Sequence, residues 1–449
     1  MACGVPPDVR FNPVLLKPGG ELSSHVVALG QDAGRVSADN FGDVSRSLAA
    51  TAYAAFDELR AEADVVVCEG AGSPAEIKLR GGDFVNLGLA RHGGLPTIVV
   101  GDIDRGGVFA SLYGTVALLE PADQRLVTGF VVNTFRGSRT LLDPGLEMLT
   151  RLTGRPTYGV LPFDVDLWLD AEDDLAYGRV LGRPAPPRGR QSLRISVVRL
   201  PHISNATDVE ALAAEPGVRV RLTAEPAELA EADLLVLPGT RATVRDLMWL
   251  RRTNLAEVVR AHAGAGRPVL GICGGFQMLA RSLYDEVESG EGSVPGLGLL
   301  PIEITFARQR TVARPAGVAL GTPVAGHEIH HGQVTARSDG LPPLIETGPG
   351  QPEGVAAGHV FGTHWHGCFE HDEFRRRFLS LVAKRAGRHG FTVAPDTSFA
   401  ALREATVDRL GDLVEEHLDT GALWRLCHHG PPAALPFVPP GPPPAPTRA

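Results

Sequence analysis

One cysteine in this chain is bracketed by glycines, in Pro268-Val269-Leu270-Gly271-Ile272-Cys273-Gly274-Gly275-Phe276-Gln277-Met278-Leu279-Ala280. A thiolate can attack a carbonyl to form a thioester, provided that a base stands close by and N–H groups receive the negative oxygen. Two stretches could supply the base: Gly326-His327-Glu328-Ile329-His330-His331-Gly332 and Phe361-Gly362-Thr363-His364-Trp365-His366-Gly367-Cys368-Phe369. Histidines so distant in sequence meet a cysteine only through the fold, and local sequence does not choose among them. The same histidines could hold a metal, but HxH and HxxHH are loose patterns and no acidic residue completes a familiar ligand set. For the oxyanion, the corner Pro238-Gly239-Thr240 offers backbone N–H groups that could join that of Gly274.

The elements around Cys273 decide whether it can react. Val269 to Ile272 reads as a buried strand and Phe276 to Leu283 as a helix, so the cysteine falls in the turn between them. Gly271, Gly274 and Gly275 let the backbone make the sharp, strained bend that lifts a nucleophile above a sheet. The positive end of the following helix favours thiolate over thiol. A free cysteine is more often buried and inert, and the glycine bracket argues against that here.

Upstream, to about Tyr177, β-branched runs alternate with helical patterns. Val65-Val66-Val67-Cys68, Thr97-Ile98-Val99-Val100 and Gly129-Phe130-Val131-Val132 are the strand candidates; Phe84 to Arg91, Gly107 to Leu119 and Leu141 to Leu152 are the helices. This rhythm predicts a parallel sheet covered on both faces, with ligands at the C-terminal ends of its strands. Glu69, Asp102 and Asp104 follow two of those strands in glycine-bearing loops, and Asn133 follows the third. Such carboxylates suit Mg²⁺ beside phosphate, and the glycines let backbone approach phosphate closely. The usual phosphate-binding pattern GxxxxGK[ST] is absent; the chain has no Gly-Lys pair, and Lys17 sits between Pro13 and Pro18 with no preceding glycine loop. This block reads as a nucleotide-binding fold entered partway through.

The run Gly182 to Arg190, rich in proline, glycine and arginine, marks a domain boundary. Strand-helix alternation then resumes with Arg194 to Arg199 and Leu234 to Leu237, leading to Val269 and Cys273. The boundaries expected are a nucleotide-using domain over 1–178, a linker over 179–192, a second α/β domain over 193–390, a helical extension over 391–429 and a disordered proline-rich tail over 430–449.

Composition narrows the class of partner. The formal net charge of -9 argues against nucleic acid or an anionic membrane surface. Five scattered cysteines without a CxxC indicate neither a disulfide framework nor a zinc ribbon. No apolar run approaches the roughly 18 residues of a membrane span, and the N-terminus lacks signal-peptide features. A cytoplasmic protein is expected, its oligomeric state open.

Four further stretches carry a resemblance: Glu69-Gly70-Ala71-Gly72-Ser73-Pro74-Ala75-Glu76-Ile77, Asp102-Ile103-Asp104-Arg105-Gly106-Gly107-Val108-Phe109-Ala110, Leu169-Asp170-Ala171-Glu172-Asp173 and Val198-Arg199-Leu200-Pro201-His202-Ile203-Ser204-Asn205. In this order they resemble the cobyric acid synthases, glutamine-dependent amidotransferases of cobalamin biosynthesis. The resemblance implies an N-terminal P-loop-like domain similar to dethiobiotin synthetase, using ATP and Mg²⁺, and a C-terminal class I glutamine amidotransferase domain. It implies Cys273 as nucleophile and His366 as its partner with His364 in reserve, Glu69 toward Mg²⁺, and Asn133 toward the nucleotide. Glutamine and adenosylcobyrinic a,c-diamide would be the substrates, with a shielded path for ammonia. Gly239-Thr240-Arg241-Ala242-Thr243 departs from the family's usual Gly-Ser-Lys-Asn-Thr. The family's phosphate-binding loop would lie upstream of Met1, so either Met1 is internal to a longer protein or ATP-driven amidation has been lost; the retained Glu69, Asp102 and Asp104 favour the first. The alternatives are a non-amidating chain with glutaminase activity or corrinoid binding alone, and a related amidotransferase, either cobyrinic acid a,c-diamide synthase or the cell-wall type. The run Gly72 to Ile77 argues against both related enzymes.

Overall fold

Along the strands that flank Cys273, alternate residues point to opposite faces of a sheet, and both faces are covered. Ile195, Val197, Leu234, Val236, Leu270 and Ile272 join one apolar core, while Val198, Leu235, Leu237 and Val269 join another. Those residues belong to a seven-stranded sheet ordered Val355–Ala357, Val360–Thr363, Val269–Ile272, Leu234–Leu237, Leu193–Val198, Val218–Thr223, Val180–Leu181. The five central strands run parallel, and both edge strands are antiparallel. Helices Thr207–Ala213 and Asp372–Arg385 cover the first face; Thr243–Arg252, Leu255–Gly264 and Gly274–Met278 cover the second.

The computed structural model describes residues 4–18, 23–37, 41–165, 167, 180–182, 185–205, 207–348 and 352–439. The stretch Leu169 to Asp173 therefore lies outside the described residues. The chain forms two units, Trp168–Thr406 around the seven-stranded sheet, and Met1–Leu167 together with Val407–Ala449. By compactness the chain thus divides after Leu167 and again after Thr406, and the segment from Val407 onward groups with the first unit.

Within the second unit, the helix expected over Phe276 to Leu283 ends at Met278, and Ser282–Asp285 is a strand. That strand pairs with Gly292–Pro295 and Ile302–Ala313, so ladder hydrogen bonds win over helix propensity there. The dipole expected to favour thiolate thus comes from five residues only. Ile302–Ala313 also pairs with Glu328–Arg337, the strand that carries His330 and His331.

The first unit holds an antiparallel sheet, Val14–Pro18, Ser23–Ala28 and Gln31–Ser37, followed by helix Phe41–Glu62. Its parallel sheet is Thr97–Asp102, Val127–Phe135, Thr157–Pro162, packed by helices Val108–Ala117 and Asp143–Thr153. The expected strand Val65 to Cys68 does not form; Val67 is 90% exposed. A β-branched run without a ladder partner gains little from its propensity.

Composition predicts disorder from residue 430, yet Val438 is buried in the core of this unit. Residues 440–449 lie outside the described residues. Arg155, fully buried, donates to the carbonyls of Val127, Thr153, Gln124 and Pro436 at 2.8, 2.6, 2.5 and 3.1 Å. Gln124 exchanges two hydrogen bonds with Val438, and Tyr113 donates to the Pro439 carbonyl. Proline carbonyls satisfy buried donors without a ladder, which a count of apolar residues does not register. Ending the chain at Gly430 should lower this unit's stability by roughly 3 kcal/mol, from lost hydrogen bonds and one buried valine. Hydrogen exchange at Phe130 and Val132 reads it; unchanged protection there would mean the strap contributes nothing.

Candidate active site

Three strand ends converge on Cys273. Val269–Ile272 lies in register with Leu234–Leu237 on one side and Val360–Thr363 on the other, and the Cys273 N–H donates to the Thr363 carbonyl at 2.8 Å. At φ 49° and ψ -112° the cysteine occupies a left-handed conformation costly for a residue with a side chain. Glycines make room for it: a Cβ on Gly271 would stand 2.6 Å from Phe276 Cα, and one on Gly275 would strike the Leu237 carbonyl.

Of the five histidines, His366 meets the cysteine. Its Nδ1 donates to Asp208 Oδ2 at 2.6 Å, and the Gly367 N–H donates to Asp208 Oδ1 at 2.8 Å. The Cys273 sulfur lies near enough to this ring to favour its protonated form, while the sulfur's own hydrogen-bond contact is the Ile329 carbonyl at 4.0 Å. His366 and Asp208 are both buried, at 2% and 4% exposure, so their charges act in a low dielectric. Burial works against the His366 imidazolium, but the Asp208 carboxylate and then the Cys273 sulfur outweigh it, and its pKa is raised well above the ordinary histidine value. His327 stacks on this ring at 5.2 Å and exchanges two backbone hydrogen bonds with His366. Burial, followed by the neighbouring His366, pushes the His327 pKa down.

His364, the reserve candidate, faces elsewhere. Its Nδ1 lies 3.5 Å from Glu353 Oε2, and its ring packs on Phe276 and His330. Among the described residues no group of three or more His, Cys, Asp or Glu is arranged to hold a metal ion.

Sequence reasoning missed Asp208. It stands at the start of helix Thr207–Ala213, which follows the strand Leu193–Val198, so the signal was an acid at the C-terminal edge of the same sheet, three residues beyond Asn205.

The two candidate oxyanion positions adjoin this group. A Cβ on Gly239 would come 2.9 Å from His366 Cε1, and one on Gly274 would lie 3.3 Å from the Thr240 nitrogen. Asp246, fully buried, fastens the corner: Thr240 Oγ1 donates to its Oδ2 at 2.5 Å and His202 Nδ1 to its Oδ1 at 2.7 Å. The Ser204 N–H donates to the Gly239 carbonyl at 2.9 Å. Were these N–H groups to receive an oxyanion at Cys273, Asp246→Ala would lower turnover at saturating substrate about 10²-fold, because groups displaced by an ångström no longer meet it. An unchanged kcat would show that the corner needs no such fastening.

In the first unit, Asp102 ends its strand and is the ladder partner of Asn133, two residues short of the end of the strand Val127–Phe135 rather than after it. The Thr134 hydroxyl hydrogen-bonds Asp102, the Asp104 N–H adds a second at 3.0 Å, and together they hold the Asp102 carboxyl below its usual range. Asn133 Oδ1 accepts from the Thr134 N–H at 2.8 Å. An ionised, half-exposed carboxylate beside an amide fits Mg²⁺ and a nucleotide in the kind of donor it offers. Glu69 lies on the exposed stretch after Val67, where the Asn86 side chain holds the Ala71 carbonyl.

Residues 194–374 match the CobB/CobQ-like glutamine amidotransferase domain. Among solved structures, a glutamine amidotransferase covers 43% of this chain, and 98% of its own, at 20% identity and a TM-score of 0.36. The cobyric acid synthase of Saccharopolyspora erythraea is 60% identical over 98% of this chain and 85% of its own length. That of Streptomyces coelicolor is 56% identical over 98% and 87%. At that identity over nearly the whole chain, the protein belongs to the cobyric acid synthase family.

Proposed function

We propose that the protein amidates the b, d, e and g carboxylates of adenosylcobyrinic a,c-diamide, using ATP and glutamine, to give adenosylcobyric acid. The observation that carries this reading is the strained Cys273 beside a His366 that Asp208 orients, in a chain whose relatives bear the cobyric acid synthase name.

In the glutaminase reaction the Cys273 sulfur attacks the glutamine carboxamide carbon. N–H groups of Gly239 and Gly274 receive the oxyanion, and His366 gives a proton to the departing nitrogen, so that ammonia and a glutamyl thioester form. His366 then takes a proton from water as it attacks the thioester, and Cys273 is regenerated with release of glutamate. Asp208 holds the ring through Nδ1, so that Nε2 is the nitrogen available to the sulfur.

Bound ATP with Mg²⁺ would supply phosphoryl activation of a carboxylate that ammonia alone displaces too slowly. Glu69 and Asp102 would bind the cation through oxygen, and Asn133 would meet the nucleotide. Supplying glutamine, ATP and the corrinoid diamide and following the product by mass spectrometry tests the reading. Four ATP-dependent amidations are expected; glutamate release with no amidated corrinoid would overturn it in favour of a glutaminase alone.

A further inference from the structure

Two histidines on segments that adjoin the nucleophile take no part in the chemistry above. His330 and His364 stack at 4.2 Å with planes 17° apart, their side chains only 8% and 5% exposed. His330 Nδ1 lies 2.7 Å from the Gly332 carbonyl, which can only accept, so that nitrogen carries the proton. His364 Nδ1 faces the Glu353 carboxylate, which likewise accepts. In the neutral form of each ring the lone pair is therefore on Nε2, and neither Nε2 has a hydrogen-bond partner within the chain. A third acceptor is near: Glu328 Oε2 stands 3.9 Å from His330 Nε2. Buried acceptors lacking a donor are costly, and the two Nε2 atoms, with the partly exposed Glu328 carboxylate near one of them, select a small ligand bearing several N–H or O–H bonds.

Both rings ride on segments that touch Cys273. The carbonyl of Ile329, one residue before His330, is 4.0 Å from the Cys273 sulfur. Thr363, one residue before His364, accepts the Cys273 N–H, and the His364 ring packs edge-on against Phe276 at 4.8 Å. We infer that the His330–His364 pair is a holding site for the ammonia released from glutamine at Cys273, an inference that rests on the glutaminase reading above. Once the C–N bond breaks and His366 has protonated the nitrogen, NH₃ donates two of its hydrogens to the paired Nε2 atoms. Its own lone pair stays free, so it leaves unprotonated and still nucleophilic.

Ammonia held beside the thioester can also return. Its lone pair attacks the thioester carbon, the C–S bond breaks, and the surplus proton passes to His366, regenerating glutamine. Incubation with glutamine and [¹⁵N]ammonium chloride therefore yields [¹⁵N]glutamine, and the ratio of this exchange to glutamate release reports the site independently of overall activity. The ratio should saturate with ammonium and fall about tenfold in His330→Phe and in His364→Phe, which keep a flat ring but remove the acceptor. His364→Gln, which can place an amide oxygen near the lost Nε2, should recover most of it. An unchanged ratio in both phenylalanine variants, or loss of both reactions in all three variants, would overturn the inference and leave the pair a structural or water-filled one. Absence of glutamate release in the unsubstituted protein would instead remove the proposed function itself.

Discussion

Cys273→Ala is expected to lower glutamine-driven glutamate release by about 10⁴-fold or more while leaving ammonia-driven amidation in place. On the proposed mechanism no other group replaces the sulfur, because the oxyanion donors and His366 would act only on a carbonyl that a nucleophile has attacked. Folding should survive, since alanine fills part of the same space and relieves no contact on which the strand depends. The decisive comparison is glutamine against ammonium chloride as nitrogen source in one preparation. Loss of both activities would assign Cys273 a structural part, and retention of both would place the nucleophile elsewhere.

Asp208→Asn should cost about 10³-fold in glutamate release, the larger share in kcat, because an amide holds the His366 ring without supporting its positive charge. A shift in pH dependence separates this from simple misfolding. In the unsubstituted protein the His366 pKa is raised, burial being outweighed by Asp208 and then by Cys273. The alkaline limb of the rate profile, where the imidazolium loses its proton, should therefore move to lower pH in the variant. Stability follows the same sign: a group whose folded pKa exceeds its unfolded value stabilises the protein fully below about pH 6.5, and that contribution is lost as pH rises through the folded pKa. The stability difference between the two proteins should accordingly be largest in mild acid and shrink with rising pH. Parallel stability curves would show that Asp208 does not act through the His366 charge.

The legible part of the site was the part written locally. Gly271, Cys273, Gly274 and Gly275 lie within five residues, and a bend that only glycine tolerates announces itself in sequence. Choosing His366 among five histidines needed the family resemblance, because the stacking of His364 on His330 and the pairing of His366 with Asp208 are long-range contacts. Asp208 was passed over for a related reason: an acid in the first turn of a helix is ordinarily explained by the helix itself. The parallel strands Leu234–Leu237 and Val269–Ile272 were read at their true limits, since a doubly covered sheet demands unbroken apolar runs. Val65 to Cys68 has the same composition and forms no strand, because composition cannot say whether a neighbour is there to pair with. The shortened helix after Cys273 is the converse case, where a neighbouring strand was present and sequence did not reveal it.

The strap of residues 436–439 also sets an order of assembly. Arg155 and Gln124 find some partners nearby, yet the Pro436 carbonyl and the Val438 N–H that complete their hydrogen bonding emerge from the ribosome 281 and 314 residues later. The first unit, whose earlier segment precedes the Cys273 unit in sequence, is thus completed after it, since the Cys273 unit has all its segments once Thr406 has appeared. During synthesis those buried donors must wait, and a nascent chain stalled before Pro436 should be a preferred client of chaperones.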